Sequence, residues 1–332
     1  MNLPHRIYLL SRLGDYISAG SPDWRQVVER AGIENGWFIP EFVDNAAKTI
    51  ANSFLKREKL VAWADENHVP DNPVSSKKTG IIMAGNIPLV GFHDWMAVFL
   101  SGHKAIIKPS SRDQVLIRHL TDKIAEWDAA AGNYTEYADM LKGCDAYIAT
   151  GSNNSSRYFD YYFSRYPHII RKNRTSVAIL HGTESAQELE ALADDVFLYF
   201  GLGCRNVTKI YIPEGYDFVP LLESFRKYDF LHDHHKYKNN YDYNLALHLL
   251  NKKYYMSTPS ILLVEEPSLF SPISQLNYEF FSDADILTEA LKNSNELQSI
   301  TGKGFVAFGS GQHPALSDFA DGINTLQFLN SL

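Results

Sequence analysis

Among the residues of this chain able to do covalent chemistry, a thiol set in a glycine turn comes first. Tyr199-Phe200-Gly201-Leu202-Gly203-Cys204-Arg205-Asn206-Val207 places Cys204 directly behind a Gly-x-Gly. Glycines let a backbone approach a substrate closely, and the neighbouring Arg205 favours the thiolate, the form that attacks a carbonyl carbon. A free cysteine also serves as a small buried hydrophobe, and on local sequence alone both readings of Cys204 stand. Cys144, in Leu141-Lys142-Gly143-Cys144-Asp145, reads as the buried kind. Two cysteines exclude a disulfide framework or a cysteine zinc site and fit a reducing, cytoplasmic setting.

Two further segments end apolar strands in polar turns. In Met83-Ala84-Gly85-Asn86-Ile87-Pro88, Asn86 either donates its amide to a ligand at the carboxyl end of a strand or caps the helix that follows. In Lys104-Ala105-Ile106-Ile107-Lys108-Pro109-Ser110-Ser111-Arg112, two cations flank two hydroxyls, a set that suits a ribose or a phosphate, or else a solvated loop. His232-Asp233-His234-His235 runs on into Lys236 to Asn240 and reads as a solvated loop, not a metal site. No His-Glu-x-x-His, no phosphate loop ending in Lys-Ser/Thr and no Gly-x-Gly-x-x-Gly after a strand occurs.

The elements that position these turns follow from periodicity. Apolar residues at helical spacing predict one long helix over Pro40 to Asn67. Strands and helices then alternate: strand Thr79 to Ala84, helix Leu89 to Ser101, strand Lys104 to Lys108, helix Arg112 to Trp127, strand Asp145 to Thr150, helix Asn153 to Arg165 and strand His168 to Lys172. A second series holds strand Ser176 to Leu180, helix Ala186 to Tyr199, strand Thr208 to Pro213, helices Phe218 to Tyr228 and Tyr243 to Lys252, and strand Ile261 to Val264. Late strands are expected at Ile273 to Phe280 and Gly304 to Phe308. This rhythm means an α/β fold of two units with largely parallel sheets. The expected division is 1–173, with an N-terminal helical segment; 174–302, carrying the thiol; and 303–332, a C-terminal segment expected to rejoin the first unit.

Composition agrees with an ordinary globular protein: 332 residues, 45% hydrophobic and 21% charged. With 31 basic against 39 acidic residues, and no basic cluster, a nucleic-acid or anionic-membrane partner is not expected. The longest apolar run considered, Met96 to Leu100, is far short of the ~20 residues a membrane span needs.

In order along the chain, Gly85-Asn86-Ile87-Pro88, Ser101-Gly102-His103-Lys104 with Ile107-Lys108-Pro109-Ser110, Thr150-Gly151-Ser152 and Gly203-Cys204 resemble the landmarks of the aldehyde dehydrogenase superfamily. Within it the resemblance is nearest to the acyl-CoA reductases typified by the fatty-acid reductase of bacterial luminescence, over roughly 78–309. It implies an aldehyde dehydrogenase-like fold with the active site in a cleft between a cofactor unit and a catalytic unit. It makes Cys204 the nucleophile, Asn86 and the Cys204 backbone N–H the oxyanion donors, and Lys108, Ser110, Ser111, Arg112, Gly151 and Ser152 the cofactor contacts. The reaction implied is reduction of a fatty acyl-CoA or acyl-carrier thioester to the aldehyde through a thioacyl-cysteine.

Departures from the resemblance refine it. Where hydrolytic relatives carry Glu-Leu-Gly-Gly, this chain is read as Ile179-Leu180-His181-Gly182, lacking the water-activating carboxylate and leaving His181 as a substitute acid/base or a turn residue. After Lys-Pro-Ser, Ser111 and Arg112 replace the Glu of NAD-preferring relatives, which implies NADPH. Ser268, before Leu269-Phe270-Ser271-Pro272-Ile273, replaces a Glu that holds the nicotinamide ribose. The alternatives are an acyltransferase using the same cysteine with a protein partner, and a non-catalytic scaffold. A homodimer is expected.

Overall fold

Apolar strands collect into two parallel sheets, each served by its own helices. The computed structural model describes residues 1–332, with Asn153 by its backbone only. The first unit is Met1–Asn173 with Pro314–Leu332, and the second is Arg174–His313. Residues 303–313 therefore pack with the second unit.

The first unit opens with four helices, α1 (Leu3–Ala19), α2 (Pro22–Glu34), α3 (Pro40–Ser53) and α4 (Arg57–Glu66). The single helix expected over Pro40 to Asn67 is thus two. The chain turns at Phe54 and Leu55 because both are drawn into the core, and a Cβ on Gly14 of α1 would lie 2.8 Å from Leu55 Cβ. Propensity gives no warning of that tertiary demand. The sheet follows: β1 (Lys78–Ile82), α5 (Phe92–Ser101), β2 (Lys104–Lys108), α6 (Val115–Trp127), β3 (Thr135–Tyr137), β4 (Ala146–Thr150), α7 (Asn153–Phe163) and β5 (His168–Arg171). Strand order is β3-β2-β1-β4-β5, all parallel. Every residue of α5 except His93 is buried, as its near-continuous apolar sequence demands.

The second unit holds β6 (Thr175–Ile179), α8 (Ala186–Phe197), β7 (Val207–Pro213), α9 (Val219–Phe225), α10 (His235–Leu250), β8 (Met256–Ser257), β9 (Leu262–Glu265), β10 (Gln275–Phe281), α11 (Ala284–Lys292) and β11 (Leu297–Gly302). The order is β11-β6-β7-β10-β9-β8, with only the β8–β9 pairing antiparallel. The strand expected over Gly304 to Phe308 is a turn whose one ladder contact pairs Val306 with Thr301, and the true edge strand is β11. The supposed loop after His232 is instead the start of α10. His234 Nδ1 caps it by accepting from Tyr237 N–H, while Tyr237, Tyr241 and Asn244 turn one face inward. Over 235–242 its other faces are polar, which is what disguised that part.

A last helix, α12 (Thr325–Asn330), returns to the first unit, where His103 Nε2 meets the Leu329 carbonyl oxygen at 3.0 Å. No helix among the described residues is long and apolar enough to cross a membrane.

Candidate active site

Cys204 sits in the turn between α8 and β7, half-buried. The approach to it is unusual backbone: Tyr199, Phe200 and Gly201 have φ of 56°, 59° and 72° in succession. The left-handed region costs ordinary L-residues about 1–2 kcal/mol each. Tyr199 and Phe200 hold it because both side chains are buried, Phe200 against the rings of His234 and Tyr237. Glycine at 201 follows without that penalty.

What fixes the turn is Asn206, wholly buried. Its Oδ1 accepts from Gly203 N–H at 2.8 Å. Its Nδ2 donates to the carbonyls of Asp195 (3.0 Å), Val196 (3.3 Å) and Leu198 (2.9 Å). One side chain thereby caps the end of α8 and braces the Gly-x-Gly turn. On the strand side, Ser176 Oγ of β6 donates to the Cys204 carbonyl at 3.0 Å. Asp195, fully buried, accepts from Gly309 N–H (2.7 Å) and Gly311 N–H (2.9 Å). Burial pushes its carboxyl up to about 6, against the pull of those two N–H groups. Sequence reasoning missed both residues as positioning groups. Asn206 stood inside the quoted turn, but its partners lie 3 to 11 residues away and no local pattern announces them.

In the first unit the polar turns after β1 and β2 are brought together. A Cβ on Gly85 would lie 2.5 Å from Ser110 Oγ and 3.1 Å from Arg112 Cβ, so glycine is required for the turns to touch. Asn86 is half-buried and does not cap α5, whose N-cap is Gly91, so that reading of Asn86 is set aside. Ser110 Oγ accepts from Arg112 N–H at 3.2 Å, shaping the tip. Lys108, Ser111 and Arg112 are exposed there, and neither cation enters an ion pair among the described residues. Gly151 and Ser152 follow β4, the other neighbour of β1 in the sheet. Ser152 is the N-cap of α7, accepting from Ser155 N–H at 3.3 Å, and a Cβ on Gly151 would meet Phe159 at 2.8 Å.

His181 is not brought to Cys204. β6 and β7 are parallel, with Ser176 opposite Val207 and Ile179 opposite Tyr211. Cys204 precedes β7 and touches the start of β6, whereas His181 lies past the far end of β6, some ~16 Å on at the rise of an extended chain. It is exposed, its backbone N–H held by Glu184 at 2.6 Å. Ile179 beside it is buried in the core. The segment read as the counterpart of Glu-Leu-Gly-Gly therefore does not face Cys204, and the substitute acid/base role of His181 is withdrawn. Ser268 spends its hydroxyl on its own turn, donating to the Phe270 carbonyl at 2.9 Å. Cys144 is buried among Ile106, Tyr147 and Phe163, and burial pushes its thiol up. No group of three or more His, Cys, Asp or Glu among the described residues could hold a metal.

The family profile described as "Acyl-CoA reductase (LuxC)" matches residues 45–219, more than half of the chain. The chain belongs to the acyl-CoA reductase (LuxC) family. No curated protein matches it. Its similarity to solved structures extends over 91% of its length: at 12% identity and TM-score 0.65 to 73% of a Mycobacterium tuberculosis aldehyde dehydrogenase complexed with NAD+. A Bacillus cereus aldehyde dehydrogenase, also an NAD+ complex, gives 12% identity and TM-score 0.64, matching 91% of this chain and 72% of its own. An Escherichia coli NADP-dependent enzyme gives 12% and 0.64, matching 91% and 73%. These likenesses show the aldehyde dehydrogenase fold. This acyl-CoA reductase is an oxidoreductase, and family and fold together support reduction of an acyl group to an aldehyde.

Proposed function

We propose that this acyl-CoA reductase works through a thioacyl intermediate on Cys204 and draws its reducing power from NADPH. The observation that carries the reading is the half-buried thiol of Cys204 in a turn braced by Asn206 and Ser176, in a chain of this family. As thiolate, favoured by Arg205, Cys204 attacks the thioester carbonyl carbon. The carbon–sulfur bond to the carrier breaks, and CoA or the acyl carrier leaves as its own thiolate. The side-chain amide of Asn86 and the backbone N–H of Cys204 are assigned to the oxyanion.

The residues after β1, β2 and β4 fit a dinucleotide phosphate. Gly85 lets the Asn86 turn pack directly on Ser110, Lys108 and Arg112 offer exposed cations, and Ser152 opens α7. When bound, NADPH supplies the hydride that turns the thioacyl group to the aldehyde level. Lys108, Ser110, Ser111 and Arg112 would hold its phosphates, with Gly151 and Ser152 completing the set.

Anaerobic incubation with a long-chain acyl-CoA, followed by intact mass, tests this. The expected result is one acyl group on Cys204, discharged as aldehyde when NADPH is added, and neither event in Cys204→Ala. Wild-type turnover by Cys204→Ala would overturn the assignment. Acylation that NADPH leaves in place would favour an acyltransferase. One observation speaks for that second reading: Ser268, expected at the nicotinamide ribose, is occupied by its own turn.

A further inference from the structure

The turns after β1 and β2 are joined by a carboxyl group outside the set assigned above. Asp113 lies at the end of the Lys108–Arg112 turn and is 6% exposed. Its backbone N–H donates to the Ser110 carbonyl at 3.1 Å. Its Oδ2 crosses to the other turn and accepts from Leu89 N–H at 2.6 Å. Leu89 has φ of 58°, a conformation a leucine keeps only where its surroundings impose it. It closes the Gly85–Leu89 turn, its carbonyl accepting from Phe92 N–H at 2.9 Å where α5 begins. Asp113 Oδ1 is buried and has no hydrogen-bond partner among the described residues. A well-packed fold rarely buries a carboxylate with one orphaned oxygen unless the position is put to use.

We propose that Asp113 is a positioning residue that latches the Asn86 turn onto the Lys108–Arg112 turn, so that oxyanion donor and nucleotide-binding loop keep their places together. The inference rests on the roles proposed above for those two turns. Burial, partly offset by the Leu89 N–H, pushes the Asp113 carboxyl up to about 7. The charged groups of its own turn are Lys108 and Arg112. From β3 it is faced by the Tyr137 phenol, which is hydrogen-bonded to Thr121 at 2.7 Å and lies under the Arg118 guanidinium of α6. Ionised Asp113 grips Leu89 through a charge-assisted bond, and protonation below about 7 weakens that grip.

Two variants separate latch from mere filler. Asp113→Asn keeps an acceptor of the same shape but cannot ionise, and Asp113→Ala removes the acceptor. Hydrogen exchange of the segment 83–92 is measured alongside KM for NADPH and kcat across pH 5.5 to 8.5, roughly spanning the titration of the carboxyl. The expected result for Asp113→Ala is at least tenfold faster exchange at Leu89 and about a tenfold higher KM, with kcat lowered less. Asp113→Asn is expected to exchange like wild type below the titration and to lose the acidic limb in kcat/KM. Wild-type exchange and KM in Asp113→Ala would overturn the latch. If Asp113→Ala does not fold, Asp113→Asn decides alone, and an unchanged acidic limb overturns the proposal. Should wild type fail to reduce thioesters with any nicotinamide, the functional reading falls. Exchange at Leu89 in the folded variants still judges the latch.

Discussion

At the end of β2, Lys108 and Arg112 stand exposed with no ion pair among the described residues, so a 2′-phosphate would gain charge-assisted hydrogen bonds without breaking one. Such bonds contribute about 1.5–3 kcal/mol each, roughly ten- to a hundredfold in affinity. Lys108→Ala and Arg112→Ala should therefore each raise KM for NADPH at least tenfold while moving KM for NADH far less. Titration of both nucleotides against the two variants checks this, and equal losses for NADH would remove the phosphate from the argument. At this scale the sequence is most readable where chemistry is local. Gly203-Cys204 and Gly85-Asn86 stand out because glycine beside a reactive side chain is a local pattern. His181 misled because the landmark around it was matched by residue type, and only the parallel register of β6 and β7 shows which edge of the sheet it occupies.

Elements inherit their precision from a few buried side chains. The end of α8 and the Cys204 turn share Asn206, so Asn206→Ala leaves three carbonyls and the Gly203 N–H without their partner. Buried groups left unsatisfied cost about 1–3 kcal/mol each, less where they relax. A loss of about 2–4 kcal/mol in urea unfolding is expected, with slower acylation of Cys204 even in the folded fraction. An Asn206→Asp variant keeps the acceptor for Gly203 but turns a carboxylate oxygen onto three carbonyl oxygens, and should be no more stable than Asn206→Ala. Most strands were legible because parallel strands are continuous apolar runs. The first half of α10 was not, since over 235–242 it buries only Tyr237 and Tyr241, aromatic groups with polar tips, whereas its second half was expected as a helix. The break between α3 and α4 is equally silent, because it answers to Gly14 on another helix.

Over the molecule as a whole, the first unit is held by two buried arginines that composition does not reveal. Arg171 of β5 pairs with Asp94 of α5 at 2.7 Å and also donates to Thr325 Oγ1 (2.8 Å) and the Ala320 carbonyl (2.7 Å). Arg6 of α1 donates to the carbonyls of Leu100 (2.9 Å), Met1, Asp71 and Pro70. Arg171→Met strands Asp94 in the core and should cost about 3–5 kcal/mol, whereas joining it with Asp94→Leu should recover most of that. Denaturant titration of the single and double variants reads the difference, and an additive loss would mean the pair is not coupled. Both arginines bridge segments far apart in the chain, contacts that no local sequence pattern announces.

Arg171 donates to Ala320 and Thr325, and His103 meets Leu329. A ribosome synthesises these partners in the opposite order from the one the fold needs. The nascent chain exposes the α5 face, and Arg171, already beside Asp94, still lacks Ala320 and Thr325 while the whole second unit is being made. Only when α12 has been made and has cleared the exit tunnel can that face close. The first unit to be translated is thus the last to be finished, and the nascent chain must keep a partly open apolar surface from straying throughout the interval.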